Sequence, residues 1–524
     1  MRAAVYNKYW PTGGGGEAYG AGVAHVLRQR AEVDLLCHED TDVAWLSERL
    51  RVPLDGVRAR VVGEAPGDIT AMAAEYDLFV NVSFMSDASA PTPRSLYVVH
   101  FPTPPELALT RPKKAVVRGM RAVGGPAATV ELLDGFYGRD PGPLGVQWTT
   151  GEGVVQVSVP EGTGTAPVTF VFGPGRPAPV GVTVEDGGRV LGQVQVGGPG
   201  SRVERLRGTS LTVDLDGQGA RQHTLVVRSP TFVPGGPDAR ALGVPVREVR
   251  VGRGIRPRLE SFAPWLTTRG TAPRWLPSYG ALVANSRFTQ HWIQTWWSSD
   301  SEVLYPPVSM QTPGDKEPVI LHVGRFFPAK EGHSKKQLEL VRAFRRLVDG
   351  GTSGWTLHLV GGCEDNGRPY LAQVREEARG YPVEVHVDAS GEELRALYAR
   401  ASVYWHASGI GENADRRPGR LEHFGMTTVE AMSAGAVPVV IGLAGQLETV
   451  RHGVDGFHFR DLGGLVALTR HLIDHPDLLE AMSASAARRA HDYSIEAFGR
   501  RFWSIVDALP DGVREAAEYG PSSP

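Results

Sequence analysis

The sequence predicts an α/β protein with two parallel, doubly wound sheets and an antiparallel β-rich domain inserted into the first half. The first and last parts of the chain alternate short apolar runs with segments of helical period. Such alternation is typical of parallel sheets covered by helices. The middle contains only short β-rich runs separated by Gly, Pro and Asp, which is typical of an antiparallel sandwich.

The first half opens with a strand and a glycine-rich loop. An apolar run at 1–7 precedes PTGGGG at 11–16, and a helix is predicted from Glu17 to about Arg30. Consecutive glycines let a backbone approach a ligand closely. The loop lacks the dinucleotide and P-loop fingerprints, and its glycines also fit a plain flexible turn.

His100 is the candidate site residue of this half. Further strands are predicted at 33–37, 78–82 and 96–100, so His100 ends a strand. Ligands bind at the carboxyl ends of parallel strands. A lone histidine is more often structural, and that alternative stays open.

The middle of the chain, residues 124–251, is predicted to form the inserted domain. Its seven strands are expected at 154–159, 168–172, 181–185, 190–196, 210–213, 223–227 and 246–251. Phe136, Tyr137 and Trp148 are either a sugar-stacking patch or, more commonly for aromatics, core. The insert is a candidate for binding acceptor, holding a partner or forming an oligomer.

A basic segment precedes the insert, with no acidic residue between Glu106 and Glu131. Its cations are Arg111, Lys113, Lys114, Arg118 and Arg121. Apolar residues are interleaved among them, which fits contact with an anionic membrane. A solvated helix at a domain edge fits equally well.

The second half alternates strands with helices. Strands are predicted at 318–324, 355–362, 403–406 and 437–442, and helices at 338–348, 391–401 and 495–508. Three of the apolar runs end near Gly324, Gly362 and His406. Because the carboxyl ends of parallel strands share one edge, we expect a ligand site there.

Lysine is rare in this chain, yet three lysines follow the first strand of this half. The 55 Lys and Arg residues include only seven lysines, and Lys330, Lys335 and Lys336 lie just behind Arg325. Arginine offers a planar fork to phosphate oxygens and lysine a compact charge. We predict that Arg325 and one lysine form a phosphate clamp, with an ordinary solvated loop as the alternative.

The segment LEHFGMTTVEAMSAG at 421–435 is the strongest candidate site. Glu422 and Glu430 have seven residues between them, and a helix is predicted to start at Thr427 after a loop at Phe424 and Gly425. A helix N-terminus presents unpaired amides and favours anions. The alternative is a capping box between Thr427 and Glu430.

Five stretches together resemble the retaining family 4 glycosyltransferases: GGGGE, VVHFP at 98–102, ALVANSRFTQHW at 281–292, VGRFF with the later KKQ, and EHFGMTTVEAMSAGAVPVV. The resemblance covers most of 1–110 and 260–510. It implies the GT-B fold, in which two Rossmann-like domains face each other across a cleft. The expected domains are 1–123 with 252–300 on the acceptor side, 301–494 for the nucleotide sugar, and a returning helix and tail at 495–524.

The resemblance also implies roles for the motif residues. Glu430 would hold the ribose of the nucleotide and Glu422 would face the transferred sugar. Arg325 and Lys335 would hold the diphosphate, with Lys336 as the second choice of lysine. The loop and helix start would bind sugar and phosphate through Phe424, Gly425, Met426 and Thr427. From the other domain, Gly15 and Gly16 would approach the diphosphate, and His100 would contact the donor sugar.

The implied reaction is retaining sugar transfer from a GDP- or UDP-sugar to a hydroxyl of a glycan, a lipid-linked or a small-molecule acceptor. The motif EHFG, in place of EGFG, is similar to the motif of family members that use GDP-mannose. Fixed cations and a helix end would stabilise the leaving diphosphate. No metal and no tightly bound cofactor is therefore expected. A non-catalytic glycan-binding protein and a GT-B sugar-nucleotide epimerase are the alternatives.

One segment departs from the family pattern. The link at 409–421 is longer than expected and carries Glu412, Asp415, Arg416 and Arg417. It either shapes the acceptor side or is a solvated loop.

Composition restricts the partners and the location. The formal net charge of −3 argues against general nucleic-acid binding. No apolar run is long enough for a membrane span, and no signal peptide is recognisable. Cys37 and Cys363 are expected to be reduced thiols. These features predict a cytoplasmic protein, with peripheral contact at the inner face of the membrane as a possibility.

Overall fold

The computed structural model describes residues 1–103, 129–136, 146–158, 165–174, 176–198, 209–215, 222–233, 241–251, 273, 275–327, 334–412, 414 and 417–510. The chain divides into two compact units, 1–108 with 270–524, and 109–269. Several sequence predictions lie outside the described residues, namely those for the basic segment at 111–121 and for Tyr137, Lys330, Asp415 and Arg416.

The first unit begins with five strands of a parallel sheet. They are β1 (Arg2–Tyr6), β2 (Glu32–Cys37), β3 (Arg58–Val61), β4 (Leu78–Asn81) and β5 (Ser95–Val99). The intervening helices are α1 (Gly15–Leu27), α2 (Val43–Leu50) and α3 (Pro66–Ala73). Every residue of β4 and β5 is buried, as expected for parallel strands that helices cover on both faces.

The second unit is antiparallel, which confirms the predicted β-rich insert. Its strands are β6 (Thr129–Phe136), β7 (Gln147–Ser158), β8 (Ala166–Phe172), β9 (Val180–Asp186), β10 (Arg189–Val196), β11 (Thr209–Leu215), β12 (Gln222–Arg228) and β13 (Pro245–Val251). The order is β10-β9-β12-β7-β13-β8-β11, with β6 on β7. Trp148 is buried beside Val146 and Leu242, and Phe136 packs on the core of this unit. Both aromatics therefore serve packing.

Two strands after the insert complete the first sheet. They are β14 (Ala281–Ala284), which pairs with β5, and β15 (Glu302–Val303). The seven strands have the order β15-β14-β5-β4-β1-β2-β3, and their pairings are parallel. Helix α4 (Arg287–Trp297) follows β14, and the Ser286 hydroxyl caps it by accepting from the amide of Thr289.

The second sheet of this unit is also parallel. Its strands are β16 (Glu317–Val323), β17 (Thr356–Gly361), β18 (Val383–Val387), β19 (Ala401–His406), β20 (Val437–Ile441) and β21 (Phe457–Phe459), in the order β18-β17-β16-β19-β20-β21. The helices are α5 (Gln337–Asp349), α6 (Arg368–Glu377), α7 (Gly391–Arg400), α8 (Met426–Ser433), α9 (Gln446–Thr449), α10 (Leu462–Asp474), α11 (Pro476–Ala490) and α12 (Ile495–Asp507). Among all the helices described, none has the length and apolar character that crossing a bilayer requires.

Helix α12 returns to the first sheet. Phe498, Phe502 and Val506 share a buried cluster with Val23 and Val26 of α1. The aromatic positions recur at helical spacing, so one face of α12 is apolar and is buried in this core. The end of the chain thus adds a helix to the half in which the chain began.

Candidate active site

The strand order locates a crevice in each sheet. In the second sheet β16 lies between β17 and β19, so the chain leaves β16 in opposite directions along the sheet. In the first sheet β1 has the same position between β2 and β4. Ligands of such sheets bind at these switch points, beyond the carboxyl ends of the strands. The glycine loop follows β1, Arg325 follows β16, and His406 ends β19.

Gly425 starts helix α8 with a backbone that other residues tolerate poorly. Its φ is +97°, and a Cβ atom there would lie 2.5 Å from Nε2 of Gln446. Gln446 is fully buried and donates to the Thr428 hydroxyl at 3.0 Å, so it cannot easily move. The first helical residue is Met426. The amides of Met426 and Thr427, at the start of the helix, are groups of the kind that bind anions.

We expect Gly425→Ala to lower both stability and any activity of this site. The left-handed backbone alone costs about 1–2 kcal/mol for a residue with a Cβ, and the contact with Gln446 adds to it. Gly453→Ala is the matched control, because Gly453 has a φ of +76° with nothing within 4 Å of an added Cβ. Thermal unfolding should show the larger loss for Gly425→Ala. Equal losses for the two variants would contradict the packing argument.

The capping-box interpretation of Glu430 is wrong. The cap residue is Gly425, which has no side chain, and the Glu430 carboxylate instead accepts from the Tyr398 hydroxyl at 2.7 Å. Thr427 accepts from the Tyr404 hydroxyl at 2.8 Å. Burial raises the pKa of Glu430, while the Tyr398 hydrogen bond and the charge of Arg51 oppose that rise. Glu430 is thus held by tertiary contacts and is not used to cap its own helix.

One carboxylate oxygen of Glu422 joins two basic side chains. Lys335 Nζ donates to Glu422 Oε2 at 2.5 Å, and His406 Nε2 donates to the same atom at 3.1 Å. The Lys335 and Glu422 side chains are 23% and 16% exposed, so the pair lies just below the surface. An ion pair at this depth is screened less than a surface pair. The lysine is therefore held in place by a residue that lies four positions before helix α8.

His406 is one of two buried histidine rings in this part of the site. It is fully buried, and burial lowers its pKa although the Glu422 carboxylate opposes the change. A second buried ring, His322, lies 6.1 Å from it between ring centroids and donates from Nδ1 to the Trp405 carbonyl. Burial lowers the pKa of His322 to about 3. His406 thus meets the Lys335–Glu422 pair from its buried side.

The glycine loop reaches the same place from the first half. A Cβ added to Gly15 would lie 3.7 Å from the Met426 sulfur, and one added to Gly16 would lie 3.7 Å from His100 Nε2. His100 donates from Nε2 to the Val82 carbonyl at 2.8 Å, and burial lowers its pKa. The structure therefore brings Gly15, Gly16 and His100 up to the start of helix α8.

Glu17 fixes the glycine loop. It is buried and accepts from the Asn7 amide group, the Thr12 hydroxyl at 2.8 Å and the Gly14 backbone amide at 2.8 Å. The last contact makes Glu17 part of a capping arrangement for α1. A loop with two hydrogen bonds to one buried carboxylate is not the plain flexible turn that the glycines also permitted.

Arg325 is at the expected strand end, but its side chain points elsewhere. It is 73% exposed and lies 3.9 Å from a Glu364 carboxylate oxygen. Its carbonyl, like that of Gly324, accepts from the Gln337 side chain. The structure therefore fixes the backbone of Arg325 beside the site without placing its guanidinium next to Lys335.

Lys336 belongs to a different cluster. Its Nζ lies 3.7 Å from Glu412, whose carboxylate is also within 3.7 Å of Arg417 and 3.6 Å of Arg420. Glu412 thus ties the 409–421 link to the start of α5. Of the two candidate lysines, Lys335 is the one beside Glu422.

His423, the unusual residue of the EHFG motif, forms an aromatic contact between the two halves. Its ring stacks on Phe101 with centroids 4.1 Å apart and planes at 11°, and Phe288 lies 6.1 Å away. Phe101 directly follows His100. The histidine at this position therefore packs against the strand end that carries His100.

Sequence reasoning missed His406, Tyr398 and Glu17 as parts of the site. Their only local signals were a strand-end position for His406 and the GGGGE stretch for Glu17. Tyr398 lies on α7, whose sequence gives no sign that it reaches α8. Its contact with Glu430 depends on how these two helices pack on the second sheet.

Comparisons with known proteins show which families this chain is similar to. Residues 310–489 match the family described as glycosyl transferases group 1. The chain is 26% identical over 258 residues to a GDP-Man:Man(3)GlcNAc(2)-PP-Dol alpha-1,2-mannosyltransferase of Dictyostelium discoideum, covering 44% of this chain and 48% of the relative. It is 30% identical over 164 residues to a sucrose synthase of Acidithiobacillus caldus, covering 29% of this chain and 20% of the relative. The chain thus spans about half or less of the curated relatives it matches.

The fold is shared with solved structures. The HepE protein of Anabaena, crystallised with UDP and glucose, aligns with a TM-score of 0.51 at 13% identity, over 97% of this chain and 100% of that chain. At this identity the likeness establishes the fold, and the two parallel sheets with switch points agree with it. Residues 310–489 are thus similar to the group 1 glycosyltransferases, and the fold of the chain is GT-B.

Proposed function

We propose that this protein is a retaining glycosyltransferase of the family 4 type, which moves a sugar from a nucleoside diphosphate to an acceptor hydroxyl. One observation carries the proposal. Lys335, Glu422 and His406 form a hydrogen-bonded cluster, and the α8 N-terminus that follows Glu422 lies against the glycine loop of the first half. The arrangement offers a cation, free amides and two carboxylates to one ligand.

The donor would lie across these groups in order. Glu430, eight residues after Glu422, would accept from the ribose hydroxyls. The diphosphate would lie between Lys335 and the first amides of α8, with Gly15 and Gly16 approaching without side chains. Glu422 and His100 would face the sugar. Arg325 would join by turning its exposed side chain away from Glu364.

The ion pair between Lys335 and Glu422 gives the free enzyme a neutral site. When a diphosphate binds, its oxygens compete with Glu422 for the ammonium group. Glu422 is then available to accept from a sugar hydroxyl. The pair therefore couples the arrival of the diphosphate to the exposure of the carboxylate that orients the sugar.

The chemical step follows from charge. The bond between the anomeric carbon and the diphosphate oxygen breaks, and negative charge grows on that oxygen. Lys335 and the α8 amides stabilise this charge before it forms, and each preorganised donor of this kind lowers a barrier by about 3 kcal/mol. The acceptor oxygen attacks from the face of the departing diphosphate, which takes the acceptor proton. No separate general base is then needed, and no divalent metal ion is required to hold the diphosphate.

We further propose GDP-mannose as the donor. The support is the EHFG motif and the mannosyltransferase name of the Dictyostelium relative. UDP-glucose is the competing donor, because HepE was crystallised with UDP and glucose. A glycan or a lipid-linked sugar is the proposed acceptor class, with a small molecule as the alternative. Cytoplasmic location, membrane contact through 111–121 and oligomer formation through the insert are parts of the proposal that rest on the sequence.

Release of nucleoside diphosphate from a panel of nucleotide sugars tests the function. We expect slow hydrolysis of GDP-mannose without acceptor, faster turnover with an oligomannose or polyprenyl-linked acceptor, and no dependence on added Mg²⁺. The product linkage should keep the configuration of the donor. Glycan binding without turnover would favour a lectin, and a changed sugar nucleotide without transfer would favour an epimerase. Either result would overturn the proposal.

A further inference from the structure

A cluster of two histidines and a glutamate lies at the edge of the second sheet, outside the candidate active site. His358 is on β17, and Glu384 and His386 are on the edge strand β18. His358 pairs in register with Glu384, and His386 is two residues further along β18. Side chains two residues apart on a strand share a face. The parallel register therefore brings all three side chains to the same face of the sheet.

The three ligand atoms nearly have the spacing of a tetrahedral metal site. His358 Nδ1 lies 3.0 Å from His386 Nε2, and Glu384 Oε2 lies 3.6 Å from each of them. Ligand bonds of about 2.0–2.1 Å at tetrahedral angles place ligand atoms about 3.3 Å apart. Shifts of a few tenths of an ångström would therefore suffice to admit an ion.

Outer contacts fix both rings in the orientation that a metal needs. His386 Nδ1 donates to Glu393 Oε1 of α7 at 2.7 Å, which leaves the lone pair of Nε2 directed into the cluster. His358 Nε2 lies 3.2 Å from the Thr356 hydroxyl. That hydroxyl can donate to Nε2 or accept from it, so His358 can move its proton to Nε2 and free Nδ1. A metal-bound histidine is commonly held by a carboxylate or hydroxyl in this way.

We propose that His358, Glu384 and His386 bind a zinc ion, with water as the fourth ligand. Two imidazoles and one carboxylate form a ligand set that zinc accepts. The site is reachable from solvent, because the His386 and Glu384 side chains are 17% and 58% exposed.

The ion would act on structure. It would join the edge strand β18 to β17, and through the contact between His386 and Glu393 it would steady the start of α7. The first residue of α7 already meets the first half, where Arg51 donates to the Gly391 carbonyl at 3.1 Å. This inference is independent of the proposed sugar transfer, because none of its ligands belongs to the Lys335–Glu422 cluster.

Titration of the full-length, chelator-treated protein with Zn²⁺, and separately with Co²⁺, tests the site. We expect one tight equivalent of Zn²⁺ by calorimetry, the strong visible absorption of four-coordinate Co²⁺, and a higher unfolding temperature with the ion. In His386→Gln and in His358→Gln, affinity for this equivalent should fall at least 100-fold and the thermal shift should vanish. Glu384→Gln should weaken binding less severely.

His471→Gln is the matched control. His471, in the last turn of α10, and His475, just after the end of that helix, form another close ring pair with centroids 4.4 Å apart. Such a pair can bind zinc by itself. The proposal predicts that His471→Gln keeps the tight equivalent and the Co²⁺ spectrum. Loss of the tight equivalent in this control would overturn the assignment. So would equal zinc binding by the wild type and by a His358→Gln/His386→Gln variant, provided that the variant melts at the wild-type temperature without zinc.

Discussion

Lys335→Ala is expected to lower kcat for sugar transfer by about 100- to 1,000-fold, the usual cost of removing one preorganised donor from a developing anion. The reason is positional. Lys335 is held by Glu422, which lies four residues before the start of helix α8, and it is the lysine of that cluster. The effect should appear mainly in kcat, because the charge on the leaving oxygen is largest in the transition state.

Lys336→Ala is the matched control for this loss. The two lysines are adjacent, but Lys336 faces Glu412 instead of Glu422. We expect Lys336→Ala to keep kcat within a few fold of the wild-type value. A second comparison is Lys335→Ala/Glu422→Gln, which removes the cation without leaving an unpaired carboxylate beside the diphosphate. If this double variant recovered wild-type turnover, the role assigned to Lys335 would be wrong.

Glu430→Gln is expected to weaken nucleotide diphosphate binding by about 10- to 100-fold. A hydrogen bond to a charged group contributes about 1.5–3 kcal/mol, and each 1.4 kcal/mol is a factor of ten in affinity. The amide keeps the shape of the side chain and loses its charge. Calorimetric titration with GDP and UDP measures the change and also shows which base the site prefers.

Protein stability should not fall in Glu430→Gln. Burial raises the pKa of Glu430, so the ionised form is a cost to the folded state at neutral pH that glutamine removes. Protonation of Glu430 removes the charge that accepts the hydrogen bond. Because the pKa of Glu430 is raised, the nucleotide affinity of the wild type should begin to fall at a higher pH than it would with a carboxylate of ordinary pKa. Glu392→Gln, an exposed acid on α7, is the control. Equal affinity in both variants would exclude Glu430 from the nucleotide site.

Local sequence determined the layered fold. Apolar runs such as those of β1, β5, β16 and β20 can only be buried strands, and the helices between them force parallel pairing. The edge strand β18 was missed because its sequence, VEVHV, alternates polar and apolar residues and resembles a half-exposed strand or a loop. The same alternation puts Glu384 and His386 on one face.

The sequence by itself also singled out Glu422, Gly425, Glu430 and the lysines after β16, because a loop that becomes a helix has free amides wherever it occurs. Only the tertiary structure decided between the readings that the sequence left open. In the folded chain Glu430 accepts from Tyr398 and does not cap its own helix. Lys335, and not Lys336, contacts Glu422. The Arg325 side chain lies near Glu364, and His406 lies next to Glu422. The physical reason is that free amides and strand ends are properties of neighbouring residues, whereas the partner of a charged side chain depends on which distant elements pack beside it.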